Sequence, residues 1–230
     1  MNAGGLLTRD KRRKSTTRFT RRSAVAGSLG ILALVAAACG SGPTPAAQAK
    51  TLLAAGIAAE QSKSYSSAID DFNQVLKDAP NDKTNDQYAY YNRGLCEQLE
   101  TPPKNTAAEA DYDKALAINP NFAAALYNLA ILVTASSPIK AEDLYLQVIA
   151  IQPTNADAHL NLGFVYNSLG RRAAAIDQFV SAVHYKPSFV ANVPATLKKA
   201  VNQKIVGGTV TGATGATGAA TGATGVTATT

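Results

Sequence analysis

Ala156–Phe189 reads ADAHLNLGFVYNSLGRRAAAIDQFVSAVHYKPSF, and its spacing decides the fold. Leu162-Gly163, Tyr166, Gly170, Ala175, Phe179 and Ala182 alternate large and small residues, and Pro153 and Pro187 bracket them. Proline removes a backbone donor and disfavours helix at the residue before it, so each of these prolines ends a helix. Small residues at Gly163 and Ala175 let two helices approach closely, and Phe179 fills the space between one pair and the next.

The same frame recurs upstream. The unit from Ala49 carries Gly56, Tyr65, Ala68, Phe72 and Pro80. The second carries Gly94, Ala108, Tyr112, Ala115 and Pro120, and the third Leu129-Ala130, Ala141, Leu144 or Tyr145, and Pro153. Against the interval from Pro153 to Pro187, that from Pro80 to Pro120 is longer and that from Pro120 to Pro153 is shorter by one. The extra residues of the second unit fall in a polar loop, Asn81 to Asp86, and at Thr101–Lys104, and the third loses one at Ser136-Ser137-Pro138. The pattern resembles the tetratricopeptide repeat, a helix-turn-helix unit of about 34 residues. The resemblance implies an all-α fold, a right-handed α-solenoid of about four such units, because one pair cannot bury its apolar face alone. Ala195 to Val206 is expected to cap the array. Leu197, Val201 and Ile205 fall on one helix face, with Lys198, Lys199 and Lys204 off it.

The solenoid with its cap thus occupies residues 49–206, and the flanks differ in kind. The formal charge of +6 rests on 22 Lys+Arg against 16 Asp+Glu. Residues 1–38 hold eight of the bases and one acid, leaving 14 bases and 15 acids for the rest. The basicity therefore belongs to the leader, and the body makes no case for nucleic acid. The basic stretch ends at Arg21-Arg22 and is followed by a 15-residue apolar run, Ala24 to Ala38. That run is short for a membrane span and fits a signal peptide over residues 1–38. Ala36-Ala37-Ala38-Cys39-Gly40-Ser41 resembles a bacterial lipobox, which implies a lipidated Cys39 and anchorage to a membrane. Ala36 stands where the lipobox usually has Leu, so cleavage after Ala38 and plain secretion stay open. Thr20-Arg21-Arg22-Ser23 also resembles a twin-arginine export motif. Residues 39–48 read as a flexible linker rich in Gly, Pro and Ala. Residues 207–230 hold only Thr, Gly, Ala and Val, too little apolar surface to offset ordering entropy, and are expected to be disordered. Their threonines leave O-linked glycosylation open.

Little here points to catalysis, a metal or a cofactor. There are two His residues, so a multi-His metal centre is excluded. His159 and His184 read as packed or surface side chains, and Cys96 as a structural thiol with no His placed beside it. Asp70-Asp71 and Asp111-Tyr112-Asp113 read as acids near the starts of second helices, where they suit the dipole. The resemblance implies a concave groove lined by the first helix of each unit. Its candidate residues are Tyr88, Tyr91, Asn92 and Leu95; Tyr127, Asn128 and Ile131; and Leu160, Asn161, Phe164 and Asn167. Asn92, Asn128 and Asn161 recur at one position, and each offers a donor and an acceptor to a peptide backbone. Leu53, Ile57 and Ala124 stand where a carboxylate-clamping groove has polar or basic groups, so the expected ligand is a neutral peptide, extended or helical. The function expected is a protein-binding scaffold outside the cytoplasm. The alternatives are a regulatory subunit of an envelope enzyme or secretion machine, and a hydrolase with an atypical groove site.

Overall fold

Four helical hairpins succeed one another through residues 43–208, the part of the chain that the computed structural model describes. They are α1 (Pro45–Gln61) with α2 (Tyr65–Asp78), α3 (Lys83–Leu99) with α4 (Asn105–Ile118), α5 (Ala123–Val133) with α6 (Pro138–Ile151), and α7 (Ala156–Ser168) with α8 (Arg172–Tyr185). A 3-10 turn over Pro187–Ala191 leads to α9 (Ala195–Val206), which packs on α8. The two helices of each hairpin pack on one another and each second helix packs on the helix that follows it, so contacts are between neighbours along the array. The leader with Cys39 and most of the Thr-rich tail lie outside the described residues.

Proline sets the end of every second helix. The last helical residues Asp78, Ile118, Ile151 and Tyr185 each stand two before Pro80, Pro120, Pro153 and Pro187. The intervening residues have φ between −130° and −142°, off the helical range, as a residue before proline requires.

Two boundaries differ from those read in the sequence. α1 starts at Pro45, inside the stretch expected to be linker. The Thr44 side chain caps it by accepting from the Ala47 N–H at 3.3 Å, and Pro45 fits the first turn, where its missing N–H is no loss. α3 starts at Lys83, so most of the supposed polar loop is helical. Asp82 caps it, accepting from the Asn85 N–H at 3.2 Å, and the Asp86 carboxylate reaches back to accept from the Asn81 N–H at 3.1 Å. The Asn/Asp-rich composition that suggests a loop is a helix start, where such side chains replace missing backbone partners.

Phe72, Tyr112, Tyr145 and Phe179 are fully buried, each packed against the first helix of its own hairpin. The close approach is most acute at two glycines. A Cβ on Gly56 would lie 2.6 Å from the Phe72 ring, and one on Gly163 would lie 2.7 Å from the Phe179 ring. The core forms two clusters, one over α1 to α3 and one from α4 to α9. Ion pairs Glu109–Lys140, Glu142–Arg171 and Asp177–Lys204 join the later hairpins and the cap at the surface. Exposed pairs of this kind contribute about 0–1 kcal/mol each.

The acids expected to serve helix dipoles do not. Asp70 and Asp71 are in the middle of α2, and Asp111 is buried in the middle of α4. Asp111 receives two hydrogen bonds from Arg93, at 2.5 and 2.7 Å, and Arg93 also donates to Asn73.

Candidate functional site

The first helices α1, α3, α5 and α7 present one side chain per turn to the inner face. Successive repeats place Leu53, Tyr91, Tyr127 and Leu160 at one level, and Ile57, Leu95, Ile131 and Phe164 one turn further on. Tyr88, Ile131 and Phe164 are exposed, at 42%, 41% and 38%. Asn167 is exposed, and Tyr91, Leu95, Tyr127, Asn128 and Asn161 are partly so. Asn92, at 8% exposed, and Leu160 depart from the expected set. Leu160 is 7% exposed and belongs to the core cluster that runs from α4 to α9.

The asparagines do more than face the groove. The Asn128 amide donates to the Tyr91 hydroxyl at 3.2 Å, and the Asn161 amide to the Tyr127 hydroxyl at 3.0 Å. Each bond links one repeat to the preceding one. Those two amides therefore hold the tyrosines in position and have less capacity left for a ligand. Behind them the Tyr112 hydroxyl donates to Gln98 at 2.9 Å. Burial pushes the hydroxyls of Tyr91, Tyr112 and Tyr127 up from the ordinary phenol range, and that of Tyr145 up to about 12. All four stay neutral donors at physiological pH.

Phe122 lies outside the residues read from the sequence, yet it completes an aromatic cluster at the groove edge. Its ring lies 4.9 Å from Tyr91 and 5.6 Å from Tyr88, the latter edge-on. It stands two residues after Pro120, in the turn leading to α5, and so outside the helical frame that identifies groove positions. Edge-on and tilted arrangements suit aromatic quadrupoles and fix the rings.

The remaining chemically able groups are packed. His159 Nε2 lies 2.9 Å from the Pro153 carbonyl, which can only accept, so this nitrogen carries a proton. His159 Nδ1 faces the Gln178 amide at 2.7 Å, and the ring stacks on Tyr185. Cys96 is buried, and burial with nearby Glu60, Glu100 and Glu97 pushes its thiol up to about 12, far from nucleophilic thiolate. Among the described residues no three His, Cys, Asp or Glu side chains converge to hold a metal, and no helix is long and apolar enough to cross a membrane.

Known structures share this arrangement. A family model described as a TPR repeat matches residues 140–170. A crystal structure of MamA protein superposes with a TM-score of 0.57 at 22% identity, covering 70% of this chain and 87% of that one. YrrB, titled a TPR protein with an unusual peptide-binding site, gives 0.52 at 18% identity, covering 67% and 74%. Pseudomonas aeruginosa pilF gives 0.57 at 17% identity, covering 71% and 78%. No curated protein shows significant sequence similarity. Residues 140–170 thus carry a tetratricopeptide-repeat match, and the described residues share the all-helical repeat-solenoid fold of these structures.

Proposed function

We propose that this is an exported, lipid-anchored scaffold whose inner groove captures an extended segment of a partner protein at the outer face of a bacterial membrane. The observation that carries the reading is the set of large apolar side chains left open on successive first helices, Tyr88, Ile131 and Phe164. They line one surface, on rigid elements, beside the ordered Tyr–Asn pairs. Aromatic and aliphatic side chains held in one rotamer bind at low entropic cost, and an open apolar surface of this kind marks interaction sites. The reading is of a binding module without catalysis.

The test is a crosslinking pull-down from native envelopes with wild type and with Tyr88→Ser, Ile131→Ser and Phe164→Ser combined. The same partner should be recovered at least about tenfold less by the variant, as loss of roughly 1.4 kcal/mol or more requires. The variant should keep its helical circular dichroism, since only Phe164 touches the core, edge-on to Phe179 at 5.2 Å. Undiminished recovery would move the binding surface to the outer face.

The address rests on the Ala38-Cys39-Gly40 sequence and the basic and apolar segments before it. A diacyl-type anchor is needed, because one acyl chain holds a protein to membranes only marginally. Cys39→Ser should shift the protein from the detergent phase to the aqueous phase on phase partitioning. Retention in the detergent phase would show that the leader itself is the anchor.

A further inference from the structure

The inner face repeats one polar device, and the first repeat lacks it. In the second and third repeats a groove tyrosine receives the asparagine of the following repeat: Tyr91 from Asn128, and Tyr127 from Asn161. Asn92 occupies that register in α3, and the tyrosine's register on α1 falls at residue 53. Residue 53 is Leu, which offers nothing to an amide. Asn92 is nonetheless 8% exposed and forms no side-chain hydrogen bond among the described residues. The side-chain atoms both fully enclosed and without a partner are Asp86 Oδ1 and Glu97 Oε2, so the Asn92 amide, itself without a side-chain partner, is not fully enclosed.

A carboxylate at the same junction is also unanswered. Glu60, at the last turn of α1, shares its register with Gln98 of α3 and Thr134 of α5. Gln98 accepts from the Tyr112 hydroxyl of its own hairpin. In the first hairpin the matching aromatic is Phe72, which has no hydroxyl to give. Glu60 therefore makes no ion pair or hydrogen bond among the described residues through its side chain. Its charge reaches the Tyr91 hydroxyl and the Cys96 thiol, which flank Asn92 on α3. Burial alone moves its carboxyl upward, with no cation near enough to oppose it. Lys63, three residues on, is exposed and makes no ion pair with it.

We propose that Glu60 and Asn92 form a subsite in the groove for a lysine or arginine of the bound segment. Glu60 pairs with the cation, the face of Tyr91 lies beside it, and the Asn92 amide meets the adjacent backbone of the ligand. This rests on the groove reading and changes its ligand from a neutral peptide to one carrying a basic residue at one end of the apolar stretch. A leucine at residue 53 and a phenylalanine at residue 72 are what leave the polar groups available.

A random heptapeptide display library selected on the purified full chain separates the possibilities. Wild type should enrich peptides with apolar residues and with Lys or Arg at one fixed position. Glu60→Gln should recover the same apolar positions, with the basic preference reduced about tenfold, the effect of one partly desolvated ion pair. Asn92→Ala should weaken all selected peptides while leaving the charge preference in place. Peptides with no basic preference, or one retained by Glu60→Gln, would overturn the subsite and leave the groove standing. Selection of no peptide above background would overturn the groove itself. Circular dichroism of both variants, expected unchanged, shows that the comparison is between folded proteins.

Discussion

Gly163→Ala should destabilise the solenoid by about 2 kcal/mol through overpacking, although alanine is the better helix former. Two effects compete. In an exposed helix the exchange would gain about 1 kcal/mol from propensity. Here the added methyl would sit 2.7, 2.8 and 3.1 Å from three atoms of the Phe179 ring. That ring is fully buried and cannot turn aside without displacing α8 from α7. Overpacking of this kind costs about 1–3 kcal/mol and can cost more when backbone must shift, so the steric effect wins. Denaturant melts of the wild type and variant give the sign directly. Phe179→Leu alone should also destabilise, by leaving a cavity. Combined with Gly163→Ala it should lose less than the two single effects added, because each change makes room for the other. A Gly163→Ala protein more stable than wild type would show that the ring relaxes freely, and that residue 163 is glycine for a reason other than packing.

This pair marks how far the fold is legible in advance. Gly163 with Phe179, and Gly56 with Phe72, are spaced so that their sizes interlock, and proline ends each second helix at a fixed distance. Those are short-range steric facts, and a residue string states them almost completely. Helix starts are harder. Pro45 and Lys83 begin helices inside stretches whose composition suggests loops, because Thr44 and Asp82 act through side-chain oxygens whose target is a backbone N–H three residues on. A capping residue and a loop residue are the same residue types, and only the bond distinguishes them.

The groove divides in the same way. The exposed Tyr88, Ile131 and Phe164 follow from helical register alone. The division of labour among the three asparagines does not, because it depends on whether the preceding repeat offers a hydroxyl at the right height. Asn128 and Asn161 meet tyrosines, whereas the register of Asn92 has Leu53 in the tyrosine's place. Register places Leu160 in the groove, but its side chain is buried in the core cluster that runs from α4 to α9. Phe122 reaches the groove from a turn, which register cannot index. Long-range pairing, and the depth at which a side chain packs, are what a periodic reading leaves out.

The largest such pairing carries the second strong expectation. Asp111→Ala should cost about 3–5 kcal/mol and should act on the whole array. Asp111 is 2% exposed on α4 and accepts both Nε and Nη2 of Arg93 on α3. The same guanidinium donates to Asn73 on α2 at 2.5 Å, so one side chain ties the first hairpin to the second. It lies where the hydrophobic core divides, between the cluster of α1 to α3 and that of α4 to α9. Apolar contact is least continuous at that seam, so a polar tie matters more there than the surface pairs of the later hairpins. Removing the carboxylate leaves a largely buried guanidinium with one partner, and desolvation of an unpaired charge sets the cost. Asp111→Asn should be milder, since an amide still accepts one of the two bonds. Arg93→Met with Asp111→Leu should recover much of the loss, because a buried pair replaced by apolar residues of similar volume is often near neutral. Hydrogen exchange would locate the effect. In Asp111→Ala, α1 to α3 should lose protection before α5 to α9 do, as expected of a neighbour-coupled array cut at one joint. Salt gives an independent check: raising it from 0.1 to 1 M shortens the screening length from about 10 to 3 Å, which should weaken the exposed Lys140–Glu109 pair and leave the Arg93 contribution nearly unchanged. Uniform loss of protection across all helices would mean that the two core clusters unfold as one, and that Arg93 is not the joint between them.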